Sequence, residues 1–170
     1  MFDSNLTDQA SALLETCRGR GLRLATAESC TGGLVAALLT AVAGSSDVVE
    51  RGFVTYTNEA KQEMLGVSAP LFDSVGAVSE EVARAMAEGA IEHSLADLAV
   101  AVTGIAGPGG ATDTKPVGLV HLAAARRGGS TTHRRQVFDG DRDAVRRASV
   151  VVALQMLAEL AAQDLPQDLP

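Results

Sequence analysis

Along almost the whole chain the apolar positions switch between helical and strand spacing. Leu6, Ala10, Leu13, Leu14 and Cys17 recur three or four residues apart, which lines one helix face, and Gly19 and Gly21 stop the run. The apolar run 22–27 is too short for a helix and predicts a strand, followed by an Ala/Leu-rich helix over 29–43. Residues 48–57, with Phe53, Val54 and Tyr56, have the β-branched and aromatic character of a strand. Asn58 then caps a short helix through Leu65 that Gly66 ends. Residues 67–78 show neither period, and Ser79, Glu80 and Glu81 open a helix to about residue 95 with Val82, Met86 and Ala90 on one face. The near-continuous apolar run 98–103 suits a buried central strand. Residues 117–125 and 131–138 around a glycine-containing turn read as a β-hairpin, and Asp141 caps a last helix to about residue 162.

This alternation predicts an α/β fold: a three-layer α/β/α domain whose mixed, mostly parallel sheet carries a late β-hairpin. One domain over 1–162 accounts for the pattern, and 163–170, two copies of Gln-Asp-Leu-Pro, are expected to fray. A chain of 170 residues buries roughly 70% of its unfolded surface around one core, with no room for a second enzymatic domain. The hydrophobic share is 46% but the aromatic share is 3%, because Ala dominates, so helices can pack closely on the sheet.

Charge narrows the function classes. Asp+Glu 21 against Lys+Arg 14 gives a net charge of −7, a field that repels polyanions, and so few aromatic rings offer no base-stacking platform. Nucleic acid is not expected as a partner. Cys17 and Cys30 make no CxxC pair, and His93, His121 and His133 are dispersed, so no metal site is predicted. The polar, acidic N-terminus does not read as a signal peptide, and no apolar run reaches the roughly 18 residues of a membrane span. A reduced, cytoplasmic protein is expected, and the Ala-rich helix surface and hairpin edge leave room for a homodimer. Of the 14 cations only Lys61 and Lys115 are lysines; biased codon usage accounts for this, yet Lys alone of the two types can give up its proton in a protein.

Three stretches could carry chemistry. Ser29 stands at a strand-to-helix junction followed by Gly32 and Gly33, where helix N–H groups can face an anion; spacing alone favours reading it as an N-cap. The glycine-rich segment 104–110, continuing to Lys115 and Gly118, follows the buried strand as a phosphate cradle or as a plain connector, and fits neither a Walker A loop nor a GxGxxG fingerprint. Tyr56-Thr57-Asn58-Glu59-Ala60-Lys61 holds the only tyrosine and one of the two lysines, and by spacing reads as a solvated helix start.

Taken together the stretches are specific. In order, Thr26-Ala27-Glu28-Ser29-Cys30-Thr31-Gly32-Gly33, Gly44-Ser45-Ser46, Arg51-Gly52-Phe53-Val54-Thr55-Tyr56-Thr57-Asn58-Glu59-Ala60-Lys61, Gly76-Ala77-Val78-Ser79, Thr103-Gly104-Ile105-Ala106-Gly107-Pro108, Lys115-Pro116-Val117-Gly118 and Gly140-Asp141-Arg142 resemble the signatures of the CinA C-terminal domain family. The resemblance runs from about residue 6 to 162 and looks like a free-standing version without the N-terminal domain of longer CinA proteins. The family's best-understood members are nicotinamide mononucleotide (NMN) amidohydrolases, which form nicotinic acid mononucleotide and ammonia.

The resemblance implies Ser29 as nucleophile, with Lys61 and Tyr56 activating it and relaying its proton. It places Cys30, Thr31, Gly32, Gly33, Thr103, Gly104, Gly107, Gly109, Gly110, Lys115 and Arg142 at the substrate, with NMN as small-molecule partner and no cofactor. Ala111 stands where many members carry a further glycine. Physically, a lysine base must be neutral; bringing it from about 10.4 to about 7.4 costs roughly 4 kcal/mol, within reach of burial. N–H groups at the start of the helix after Ser29 are expected to hold the oxyanion, and backbone amides with Arg142 the phosphate. Two rival readings stand beside this: a non-catalytic nucleotide-binding or protein-interaction module, and a thiol amidase using Cys30.

Overall fold

The structure, a computed structural model, describes residues 2–164. Asp3 caps α1 (Ser4–Arg20) by accepting the Leu6 N–H, and Gly21 closes it at φ 66°. β1 (Leu24–Glu28) is buried at every position because β2 (Val49–Val54) and β3 (Leu98–Gly104) flank it, both parallel. β4 (Leu119–Arg126) pairs antiparallel with β3, and β5 (Thr131–Val137) antiparallel with β4, giving the order β2-β1-β3-β4-β5. Four of the five strands run one way and β4 runs against them, so the sheet is mixed, as expected.

Strand alternation sorts the core into two layers. Leu98, Val100 and Val102 face α1, α2 (Leu34–Thr40) and α6 (Arg142–Ala162), whereas Ala99 and Ala101 face α5 (Glu80–Glu92). The second face is lined by Ala25, Ala27, Ala123 and Ala125 as well, which lets α5 lie close to the sheet. α3 (Asn58–Leu65) packs beside α5 so tightly that a Cβ on Gly89 would stand 2.0 Å from the Leu65 carbonyl oxygen. The three-layer expectation is met.

Four boundaries differ from the pattern reading. The helix expected over 29–43 shrinks to α2, with a turn in front of it. The strand expected to reach residue 57 ends at Val54. Thr57, not Asn58, caps α3, its hydroxyl accepting the Ala60 N–H at 3.0 Å. Within 67–78 a short α4 (Ala69–Ser74) forms with Pro70 in its first turn; none of its residues is buried, so no apolar period marks it. Of the tail expected to fray, 165–170 lie outside the described residues, while Gln163 and Asp164 are held by Arg20 and Arg126.

Gly118 is the tightest point of the hairpin. Its φ is 90°, and a Cβ would meet the Phe138 carbonyl oxygen at 2.1 Å. Gly118→Ala is expected to cost about 3 kcal/mol or more, from backbone overlap and the left-handed conformation together. The denaturant midpoint should fall at unchanged slope.

Candidate active site

The chain leaves β1 for β2 on one side and returns over the sheet to β3 on the other, so a crevice opens at the carboxyl ends of β1 and β3. Ser29 sits there, its N–H donating to the Val102 carbonyl of β3 at 2.9 Å. From α3, Lys61 reaches into the same crevice and is 1% exposed. Its Nζ lies 3.0 Å from Ser29 Oγ and 2.8 Å from the Thr55 carbonyl oxygen, with the Tyr56 and Thr57 carbonyls at 3.4 and 3.5 Å.

The chemistry of those neighbours is selective. Carbonyl oxygens only accept, so a neutral amine gives its two N–H bonds to them and keeps its lone pair for the one hydroxyl present, that of Ser29. Burial pushes the Lys61 pKa below the usual lysine range, with Cys30 and Glu59 pulling the other way. The arrangement can therefore take a proton from Ser29.

The segment after Ser29 departs from the sequence expectation. Ser29 is no helix cap: α2 begins at Leu34, with Gly33 as its N-cap at φ 98°. The N–H groups expected for an oxyanion are already taken, since the Glu28 carboxylate accepts from Gly33 (3.1 Å), Val35 (3.0 Å) and Ala36 (2.9 Å). The N–H groups of Cys30 and Thr31 meet no oxygen acceptor among the described residues. Glu28 was invisible as a site residue because it lies outside the helix's first turn, where acidic capping is read.

The other expected residues divide. The Tyr56 phenol, 58% exposed, accepts from Arg142 Nη2 at 2.9 Å and has no hydrogen bond to Ser29 or Lys61 among the described residues. Only its carbonyl approaches the amine. Arg142 also donates to the Gly107 carbonyl at 2.9 Å, leaving three of its five N–H groups and its charge without a partner among the described residues. One turn on, Arg146 donates to the Cys30 and Thr31 carbonyls at 3.2 and 3.1 Å. Sequence reasoning missed Arg146, although its i,i+4 spacing from Arg142 puts both on one face of α6.

Cys30 is packed in the core at 6% exposure, and burial pushes its thiol up to about 11. A thiol packed in the core has no path to a substrate carbon, which sets the thiol-amidase reading aside. Thr31 is fully buried, while Gly32 is exposed beside Arg146 at φ 58°. Thr103 Oγ1 donates to the Ala77 carbonyl at 2.8 Å, and Gly104 is explained by packing, as its Cβ would stand 2.7 Å from Val120. Gly107 likewise would strike Val117 at 2.6 Å, whereas Gly109 and Gly110 are open to solvent. Lys115 does not point a free charge at the crevice: its Nζ donates to the Val75 carbonyl and braces that loop.

The β4–β5 hairpin also joins two histidines twelve positions apart. His121, opposite Thr103 on β4, lies with Nδ1 3.0 Å from His133 Nε2, and His133 Nδ1 is 3.4 Å from Glu80. Among the described residues no three His, Cys, Asp or Glu gather as a metal-binding group. Burial first, then His133, pushes His121 down to about 4. Its unfolded value near 6.5 means the unfolded chain takes up the proton first. Stability should thus fall as pH drops from about 6.5 to 4, by up to about 3 kcal/mol, and His121→Gln should flatten that slope in pH-resolved denaturation.

No helix is long and apolar enough to cross a membrane, among the described residues. A profile of the CinA C-terminal domain matches residues 6–161. The chain is 50% identical over 157 residues, 92% of its length and 95% of the relative's, to the nicotinamide-nucleotide amidohydrolase PncC of Escherichia coli K12. It is 54% identical over 153 residues to a CinA-like protein of Geobacter sulfurreducens, covering 90% of this chain and 36% of that one. The crystal structure of the competence/damage inducible protein CihA from Agrobacterium tumefaciens superposes with a TM-score of 0.92 at 49% identity, over 96% of this chain and 99% of that one. The chain belongs to the CinA C-terminal domain family.

Proposed function

We propose that the chain is an amidohydrolase that converts NMN to nicotinic acid mononucleotide and ammonia in pyridine nucleotide salvage, with Ser29 as nucleophile and Lys61 as its base. The observation that carries this is the buried amine 3.0 Å from Ser29 Oγ, in surroundings that leave its lone pair only that hydroxyl. The likeness to an enzyme named for this reaction supports the substrate. A non-catalytic module has no use for an amine removed from water beside a serine.

In the reaction, Lys61 takes the Ser29 proton as Oγ bonds the carboxamide carbon, and the negative charge moves to the amide oxygen. Lys61 then delivers the proton to the nitrogen, the C–N bond breaks and ammonia leaves. Water attacks the acyl ester, gives its proton to Lys61, and Ser29 departs and is reprotonated. With Glu28 holding the α2 donors, the Cys30 N–H beside Ser29 is left for the oxyanion. The free N–H groups of Arg142 suit the phosphate, with the open Gly109–Gly110 backbone beside it.

Tyr56 belongs with Arg142 in this scheme, on the substrate side. Tyr56→Phe is expected to raise KM for NMN by about tenfold, one charge-assisted hydrogen bond, while kcat falls less. A kcat loss of several hundredfold at constant KM would instead restore Tyr56 as a proton relay. The function itself is tested by ammonia release from NMN, nicotinamide riboside and nicotinamide in parallel. NMN should turn over fastest; a folded protein inert on all three removes the enzymatic reading.

A further inference from the structure

Glu28 takes no part in the chemistry above, yet its carboxylate is fully buried and forms no ion pair among the described residues. A carboxylate in that position is tolerable only when hydrogen bonds replace its water, and three backbone N–H groups at the positive end of α2 do so. The placement of those bonds bears on Ser29. The turn 29–33 starts at Glu28 by covalent bond and returns to the Glu28 carboxylate at Gly33, closing a loop around the nucleophile. Inside it Gly32 and Gly33 have φ of 58° and 98°, and glycines supply little stiffness of their own.

The same residue reaches the base. The Glu28 carbonyl accepts the Thr55 N–H at 2.9 Å, and the Thr55 carbonyl accepts Lys61 Nζ at 2.8 Å. Both halves of the Ser29–Lys61 pair are thereby referred to one anchored residue at the end of β1. We propose that Glu28 is the positioning residue of this pair, its carboxylate holding Ser29 Oγ within proton-transfer reach of Lys61. A small misplacement of reacting atoms is enough to slow a reaction steeply without weakening substrate binding. The inference rests on the amidohydrolase reading for its substrate alone, because the geometry concerns any electrophile that Ser29 attacks.

Glu28→Gln and Glu28→Asp test it. The amide presents N–H groups to N–H groups, and the shorter acid keeps the charge but withdraws it by one methylene. Glu28→Gln should lower kcat for NMN at least a hundredfold with KM within threefold, and Glu28→Asp should recover part of the loss. Phosphonylation of Ser29 by a small fluorophosphonate, in which Oγ bonds phosphorus and fluoride leaves, followed by intact mass with Ser29→Ala as blank, should slow in the same order. This second readout needs no NMN: an absence of NMN turnover in the unaltered protein defeats the substrate assignment while phosphonylation still decides the role of Glu28. Folded variants, judged by far-UV circular dichroism and melting, that are phosphonylated at the unaltered rate overturn the proposal. If neither variant folds, Glu28 is a determinant of the fold and the positioning role is likewise overturned.

Discussion

Ser29→Ala is expected to abolish ammonia release from NMN, by a factor on the order of 10⁵ or more in kcat, with NMN still bound in calorimetry. No second nucleophile stands ready. Cys30 is adjacent, but burial pushes its thiol up to about 11 and its side chain is packed in the core. Turnover should accordingly survive Cys30→Ala. The opposite pair of results, activity kept without the serine and lost without the cysteine, would remove Ser29 from the mechanism.

Replacement of Lys61 should be nearly as severe. Lys61→Arg retains a positive charge but offers no removable proton, and Lys61→Met retains the length of the side chain without nitrogen; each should lower kcat about 10³-fold or more. The unaltered enzyme should show kcat/KM rising with pH through a pKa below the usual lysine range, since the neutral amine is the active form and burial favours it. That limb should vanish in both variants. Stability follows the same group. Between the lowered folded pKa and about 10.4 the unfolded chain holds the proton that the folded chain has released, so stability rises with pH across that window. Lys61→Met should lose this slope in pH-resolved denaturation. An unchanged pH–rate limb in Lys61→Met would assign the base elsewhere.

How much of this could be read from the chain depends on the range of each signal. The caps at Ser79 and Asp141 and the buried run ending at Thr103 are local, and the structure has them where the spacing put them. α4 escaped because a surface helix with no buried residue writes no apolar period. The turn before α2 escaped for a different reason. An Ala/Leu-rich run with Ser in front reads as a helix from Ser29, but Gly32 and Gly33 at positive φ and the Glu28 carboxylate, reaching forward to Gly33, Val35 and Ala36, set the start at Leu34.

The site divides along the same line. The two lysines are equivalent in composition and opposite in place. Lys61 is buried against a hydroxyl and Lys115 is spent on the Val75 carbonyl. Tyr56 and Lys61, five positions apart in one motif, are parted by α3, whose first turn carries the amine inward while the phenol turns out to Arg142. By itself the sequence determined the order of elements, the mixed α/β sheet and the motifs that carry the family resemblance, because periodicity, caps and glycine turns act over a few residues. Only the tertiary structure decided which atoms meet. Ser29 and Lys61 come together across 32 positions because strand order sets β1 between β2 and β3, and the burial that lowers the lysine's pKa is a property of that packing.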